Sequence, residues 1–260
     1  MRIYLLPENF TGSEQYTIRG KDAHYLTRVL RLAEGDSFPG RDRSGRSWNL
    51  TLTQIDKGSC TLSCSMSAGN DLVQTDALPD FHGPFPEIHV YQAVCKGKKM
   101  DQIIRQVTEL GVTRIIPVIS THTVADISAK ATEKVARYET VIKEAIQQSG
   151  SPVSTRIDPP LAISDVIQDW DHRGTALIFH QSTVADQPSL SEQLAQHDTT
   201  QPIAVMIGAE GGFSPAEVEH LIEEGFSPVL LKTNILRAET AAVAAVAIVQ
   251  HMLVDTLSHN

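Results

Sequence analysis

The chain has 260 residues, enough for one or two domains with a sizeable core. Hydrophobic residues make up 41% and charged residues 20%, which excludes a mostly disordered chain, a collagen and a membrane bundle. The net charge of -9 argues against non-specific coating by nucleic acid, but it hides an uneven distribution. Residues 1–75 carry 9 Lys/Arg and 8 Asp/Glu, whereas residues 76–260 carry 13 and 23. Six of the nine N-terminal cations are arginines between Arg19 and Arg46, and the planar guanidinium fork suits phosphate.

In chain order, Arg2–Leu6 reads as a strand stopped by Pro7. Lys21–Leu32 reads as a short helix, with Tyr25, Leu26, Val29, Leu30 and Leu32 near one stripe. Trp48, Leu50 and Leu52, then Cys60, Leu62 and Cys64, recur at period two and read as strands with one buried face. Short strands around one helix suggest a small barrel over residues 1–75. Residues 67–86 turn polar and carry Pro79, Pro84 and Pro86, so 76–86 reads as a linker.

From residue 87 the pattern alternates strand and helix. Strands are expected at Ile88–Val94, Arg114–Ile119, Thr175–His180, Ile203–Ile207 and Pro228–Leu231. Pro117 favours an edge or a strand end. Helices are expected over Asp101–Leu110, over 130–148, near Leu190, from Ser214 to Gly225 and from Glu239 to about Leu253. Ser214-Pro215-Ala216-Glu217 has a cap, a proline at the first helical position and a capping-box glutamate. This βαβα order implies an α/β domain at 87–260, with a mostly parallel sheet covered on both faces.

Three cysteines lack the partners for a disulfide framework or a zinc site, so Cys60, Cys64 and Cys95 are expected to be reduced and buried, with no metal. The opening MRIYLLPENF is too soon polar for a signal peptide, and Ala241–Val249 is too short to span a bilayer. A cytoplasmic protein without a membrane partner is expected.

Chemistry concentrates in two loops. Gly208-Ala209-Glu210-Gly211-Gly212 lies between a buried strand and a capped helix, where a parallel sheet takes its ligands. Glu210 would repel phosphate, and neither dinucleotide nor P-loop spacing is present, so a ligand with a cationic or hydroxyl-rich face fits better. The second loop, Leu230 to Ala241, carries Arg237, Glu239 and Thr240 at the mouth of an apolar helix. Polar groups there must be paired or functional. Arg237 either pairs with Glu239 or faces substrate. The ten histidines show no ligand cluster.

These residues together resemble a known family. Met100-Asp101-Gln102-Ile103-Ile104, Thr108-Glu109-Leu110-Gly111-Val112, Ile115-Ile116-Pro117, Lys143-Glu144-Ala145 and Gln148-Ser149 fall in the right order. So do Ile207 to Ser214, Ile235 to Ala241 and His24 to Arg31 with Gly35-Asp36. The chain resembles the bacterial 16S ribosomal RNA (uracil-N3)-methyltransferase family (RsmE), in the SPOUT class of knotted RNA methyltransferases, over nearly its whole length. Ala209 stands where the family has proline, Lys232 where it has glycine, and Asn234, Ser151 and His122 where it often has arginine.

The resemblance implies a PUA-like β-barrel at 1–75 for RNA binding and a SPOUT-type domain at 87–260 with a deep trefoil knot. It also implies a homodimer, S-adenosylmethionine as cofactor, and 16S rRNA or the small ribosomal subunit as partner. The implied activity is methylation of uridine N3. Alternatives are a ribose 2'-O methyltransferase of the same class and a non-catalytic RNA-binding homologue. The cofactor is expected on His180, Gly208, Glu210, Gly211, Gly212, Leu231, Ile235, Leu236, Thr240 and Ala241, with residues to Thr183 at its edge and bulk at Gly211 obstructing it. The two loops are expected to follow adjacent strands. Arg237, Glu239 and Glu210 are the expected catalytic residues, and Arg19, Lys21, Arg28, Arg31, Arg41, Arg43 and Arg46 the expected RNA contacts.

Overall fold

The computed structural model describes residues 3–67, 85–123, 131–182 and 187–258. Two compact units divide the chain, one of residues 1–82 with 146–152 and one of residues 83–145 with 153–260. The first is therefore discontinuous. Within it the Ile3 amide donates to the Gln147 carbonyl at 3.2 Å, and the Arg41 guanidinium donates to the Ser151 carbonyl. Of the expected linker, residues 76–84 lie outside the described residues.

The first unit holds β1 (Tyr4–Leu5), β2 (Gln15–Arg19), β3 (Ser37–Arg41), β4 (Ser47–Asp56) and β5 (Ser59–Met66), ordered β1-β3-β4-β5-β2. All pairs are antiparallel except β1 with β3. The period-two residues of β4 and β5 are buried and meet Phe10, Phe38 and Leu26 in one core. Phe10 packs edge-on to Trp48 at 5.0 Å. Asp42 braces the β3–β4 turn, accepting from Trp48 Nε1 at 2.9 Å, from Arg46 Nε at 2.7 Å and from Ser44. Burial opposes its ionisation, but these donors outweigh burial and hold its pKa at about 2.

The expected helix over Lys21–Leu32 is shorter. The α-helix α1 (Gly20–His24) passes into a π turn at Tyr25–Val29, which the Leu30 amide closes on the Tyr25 carbonyl at 2.9 Å. The Thr27 hydroxyl donates back to the Ala23 carbonyl at 2.8 Å, competing with the α ladder. The wider turn keeps Ala23 and Leu26 in the core, and Arg31 then leaves in a left-handed conformation (φ 58°).

The second unit is a seven-stranded, wholly parallel sheet. Its strands are β6 (Ile88–Ala93), β7 (Arg114–Ile119), β8 (Arg156–Ile157), β9 (Leu161–Ala162), β10 (Thr175–Phe179), β11 (Ile203–Ile207) and β12 (Ser227–Val229). Their order is β12-β10-β11-β6-β7-β8, with β9 also on β7. Every residue of β6 and β11 is buried, so both faces of the sheet centre are covered. The helices are α2 (Lys99–Glu109), α3 (Ala131–Ser149), α4 (Val166–Trp170), α5 (Leu190–Ala195), α6 (Pro215–Glu223) and α7 (Ala238–Ser258). Pro117 is interior to β7 yet costs no ladder bond. The Ile115 carbonyl accepts from the Asp158 amide, so Pro117 faces the same side, in the gap between β8 and β9.

The capping box at Ser214 and Glu217 forms as expected and starts α6. The strand expected at Pro228–Leu231 ends at Val229, which frees Leu230 and Leu231 for the site below. α7 packs on β11 and β6 and against α2 and α5. Among the described residues, Ala238–Asp255 of α7 is the stretch long and apolar enough to cross a membrane by length and composition, and 33% of it is buried within the chain.

Candidate active site

β12, β10 and β11 are neighbours in the sheet, and the loops leaving their carboxyl ends surround one cavity of about 400 Å³. Open parallel sheets bind ligands at such crevices, and small-molecule sites span about 300–1,000 Å³. The expectation that the two loops follow adjacent strands is corrected, because β10 lies between β11 and β12. β6 occupies the other edge of β11, so β12 adds beyond β10. The end of β10 thereby contributes Phe179 and His180 to the middle of the site.

His180, Gly208, Glu210, Gly212, Leu231, Ile235, Leu236, Arg237 and Ala241 line the cavity. Gly211, Glu239 and Thr240 are not among its lining residues. Bulk at Gly211 meets something else, since a Cβ there would lie 3.0 Å from the His122 Cβ. Thr240 is exposed at the first turn of α7. Thr183 lies outside the described residues.

The glycine loop folds tightly on itself. The Gly212 amide donates to the Ala209 carbonyl at 2.9 Å, and a Cβ at Gly208 would stand 2.9 Å from the Gly212 Cα. Gly212 itself has φ 65°, a conformation that suits glycine. Ala209, in the family's proline position, is buried and bridges Gly212.

Three clamps hold this loop. Gln92, fully buried in β6, points its amide nitrogen at the Gly208 carbonyl at 3.3 Å and the Ile207 carbonyl at 3.4 Å. Glu210 accepts from Lys99 Nζ at 2.8 Å and from the Lys96 amide at 3.3 Å. Burial opposes ionisation of Glu210, but the Lys99 bond and backbone donors outweigh it, so its pKa lies below the ordinary carboxylate range. Buried Glu217 bridges the Thr121 and Ser214 amides, both at 2.7 Å, which sets His122 beside Gly211.

The Leu230–Ala241 loop is barer. Lys232, Thr233, Asn234, Ile235 and Arg237 are exposed, Ile235 at 85%. No Arg237–Glu239 ion pair forms among the described residues. The Glu239 carboxylate turns inward, with Oε2 enclosed and unpartnered, and its field raises the pKa of Cys95 and Lys99. Burial, the larger cause, raises the Cys95 thiol to about 12, so it stays protonated. All three cysteines are free and buried. Burial lowers the His180 pKa, which keeps its imidazole neutral near pH 7.

Gln92 and Lys99 escaped the sequence reading. A glutamine inside the buried strand Ile88–Ala93 was the available signal for the first, and the Lys96-Gly97-Lys98-Lys99 run after that strand for the second.

In the first unit Arg19, Lys21, Arg28, Arg31 and Arg43 are exposed. Arg41 is half-buried, and burial lowers its pKa. Arg46 pairs with Asp42 at 2.7 Å and lies over the Trp48 ring. Ser151, where the family often has arginine, is buried.

A parallel sheet with a tight glycine loop at its carboxyl edge, in a chain that also carries a small β-sheet unit, defines a class. Residues 83–250 match the RNA methyltransferase domain family, and residues 18–63 match the RNA methyltransferase PUA domain. The ribosomal RNA small subunit methyltransferase E of Synechocystis sp. is 30% identical over 97% of this chain and 78% of its own length. That of Aquifex aeolicus is 33% identical over 89% of this chain and 92% of its own. This chain belongs to the ribosomal RNA small subunit methyltransferase E family. The Neisseria gonorrhoeae ribosomal RNA small subunit methyltransferase E, solved bound to S-adenosyl methionine, has the same fold. It is 26% identical, with a TM-score of 0.81 over 97% of this chain and 98% of that one.

Proposed function

We propose that this protein methylates N3 of a specific uridine in 16S ribosomal RNA, using S-adenosylmethionine. Family membership and the relative solved with S-adenosyl methionine support the reading. The observation that carries it is the chemistry of the cavity. Ile207, Leu231 and Leu236 offer apolar wall to a flat heterocycle, and the Gly208–Gly212 backbone can approach a ligand closely. The Glu210 carboxylate and the Arg237 guanidinium stand at the same cavity. The apolar wall fits an aromatic base and the Glu210 carboxylate a cationic centre, which leaves the Arg237 guanidinium for charge on the substrate.

S-adenosylmethionine supplies an activated methyl on a sulfonium, so the protein's part is positioning and electrostatics. The glycine loop, Leu231, Ile235, Leu236 and Ala241 hold the cofactor, with His180 between the loops. Arg237 has no carboxylate partner among the described residues and stabilises the negative charge that builds on a uracil oxygen as N3 loses its proton. Glu210, tied to Lys99 with a lowered pKa, is a poor base, and Glu239 points away from the cavity lining. The N3 proton is given up to solvent before methyl transfer, at a cost that Arg237 lowers by favouring the uracil anion, and Glu210 and Glu239 act on the field of the site. A uridine outside its stack costs least to present in an unpaired segment.

The same reading assigns RNA binding to a domain at 1–75, with Arg19, Lys21, Arg28, Arg31 and Arg43 on phosphate, and catalysis to 87–260. It includes closure of the first sheet into a PUA-like barrel and a deep trefoil knot in the second unit. A homodimer would cover the apolar face of α7, where Ile248 is 40% exposed. Its rRNA substrate points to the cytoplasm.

Mass spectrometry of nucleosides from unmodified small ribosomal subunits incubated with the enzyme and cofactor tests the reading. N3-methyluridine is expected. Ribose-methylated uridine would replace the proposal with a 2'-O activity, and an inability to bind S-adenosylmethionine would reduce the protein to an RNA-binding homologue.

A further inference from the structure

Residues 76–260 carry 13 Lys/Arg against 23 Asp/Glu, an unfavourable average field for a polyanion that must reach the cavity. One turn at the cavity concentrates cations. Lys96-Gly97-Lys98-Lys99, from the turn after β6 into the first residue of α2, puts three ammonium groups in four residues. Glu210 fixes the turn to the glycine loop by accepting from both the Lys96 amide and Lys99 Nζ. Lys99 thereby spends its charge on Glu210 and joins the cavity lining.

Lys96 and Lys98 do not spend theirs. Both are exposed, and among the described residues neither has an ion-pair or hydrogen-bond partner for its side chain. The nearby cations differ. Arg137 is paired with Asp101, and Arg105 lies 3.6 Å from Glu144. Two uncompensated ammonium groups thus remain on a turn anchored to a residue of the cavity wall.

We propose that Lys96 and Lys98 bind backbone phosphates of the RNA that presents its uridine to the cavity. This surface rests on the proposed methyltransferase function and adds to it an RNA contact in the acidic unit. Ammonium groups on flexible stems suit phosphate and carry no sequence information, so the turn supplies attraction and register, while selection of the base lies elsewhere.

The test uses the full-length protein, unmodified 16S rRNA and S-adenosylmethionine. The double variant Lys96→Gln/Lys98→Gln should lose RNA affinity about tenfold near 0.1 M salt. Its plot of log affinity against log salt should flatten by about 1.4, two single-strand phosphate contacts at about 0.7 each. Cofactor affinity by calorimetry should stay parental, and the KM for RNA should rise more than kcat falls. Lys96→Arg/Lys98→Arg should restore the salt slope. A parental slope and affinity in the Gln variant, with the parent still methylating, would overturn this surface alone. A loss of cofactor affinity in the Gln variant would also overturn it, since the turn would then act through Glu210. A parent protein that transfers no methyl group would overturn the function together with this proposal.

Discussion

Two loops face each other across the cavity, and they are built differently. Gly208–Gly212 is held by Gln92 from below, by Lys99 and the Lys96 amide through Glu210, and by the Ser214–Glu217 capping box behind it. Leu230–Ala241 leaves a short edge strand, and exposes Lys232, Thr233, Asn234, Ile235 and Arg237. One half of the site is preorganised. The other keeps an apolar side chain and a cation in water until something covers them. Preorganisation reduces the cost of ordering a ligand, so cofactor affinity should be most sensitive to the first half, although Leu231, Ile235, Leu236 and Ala241 of the second also touch the cavity. A cation left unpaired is free to meet charge that develops in substrate, so chemistry should depend on the second.

The largest expected effect is on the bare side. Arg237→Ala should slow single-turnover methyl transfer by about 100-fold or more, comparable to removing one oxyanion donor. Cofactor binding by calorimetry and the thermal midpoint should stay near parental. A transfer rate close to parental would remove Arg237 from the chemistry.

The fixed side should answer in binding. Gly208→Val drives a side chain into the Gly212 backbone, since even a Cβ would come within 2.9 Å of Gly212 Cα. Cofactor affinity should fall at least about tenfold, or about 1.4 kcal/mol. Unchanged affinity would separate the glycine loop from the cofactor site. A smaller effect is expected at the clamp. Lys99→Met should raise the KM for cofactor about two- to fivefold, the range of an exposed ion pair, while Lys99→Arg should keep it parental. Equal effects of the two variants would show that the Lys99–Glu210 pair does not position the loop.

Asp42 supplies the control, with the smallest expected effect on activity. Its folded pKa of about 2 lies below its unfolded value near 4. The stabilisation it provides is therefore present above about pH 4 and is lost as pH falls toward 2. Asp42→Asn should lower stability near neutral pH by roughly 1–2 kcal/mol and flatten the acid limb of the stability curve, with cofactor affinity unchanged. A parental acid limb would show that the Trp48, Ser44 and Arg46 bonds do not hold the carboxylate ionised.

Local signals read from the sequence carried over well where the contact is local. The alternating burial of β4 and β5 and the capping box of α6 all lie within a few residues of their cause. Lys21–Leu32 shows the limit of the same logic. Its helical stripe was real, yet the chain forms a π turn over Tyr25–Val29, where the Thr27 hydroxyl donates to the Ala23 carbonyl and Leu26 lies in the core. At Gly211 the pattern correctly marked a tight loop, but what a Cβ there would meet is His122, whose neighbour Thr121 is held by Glu217 from 96 residues away.

By itself the sequence determined the main strands and helices from Ile88 to Leu253, though not β8, β9 or α4, the change from a β-rich part (with β4 and β5 but not β2 or β3) to a parallel α/β part, and the two loops where chemistry gathers. It also determined Glu210 and Arg237 as residues to watch, because charged groups beside glycines and apolar helices stand out at short range. Tertiary structure alone decided that β10 lies between the two loop-bearing strands, that Gln92 and Lys99 hold the glycine loop, that Glu239 turns inward, and that Arg237 stays unpaired. Those outcomes depend on contacts between residues far apart in the chain, more than 100 positions for Lys99 with Glu210 and Gln92 with Gly208. Such pairings are set by how the sheet orders its strands, and no periodicity along the chain encodes that order.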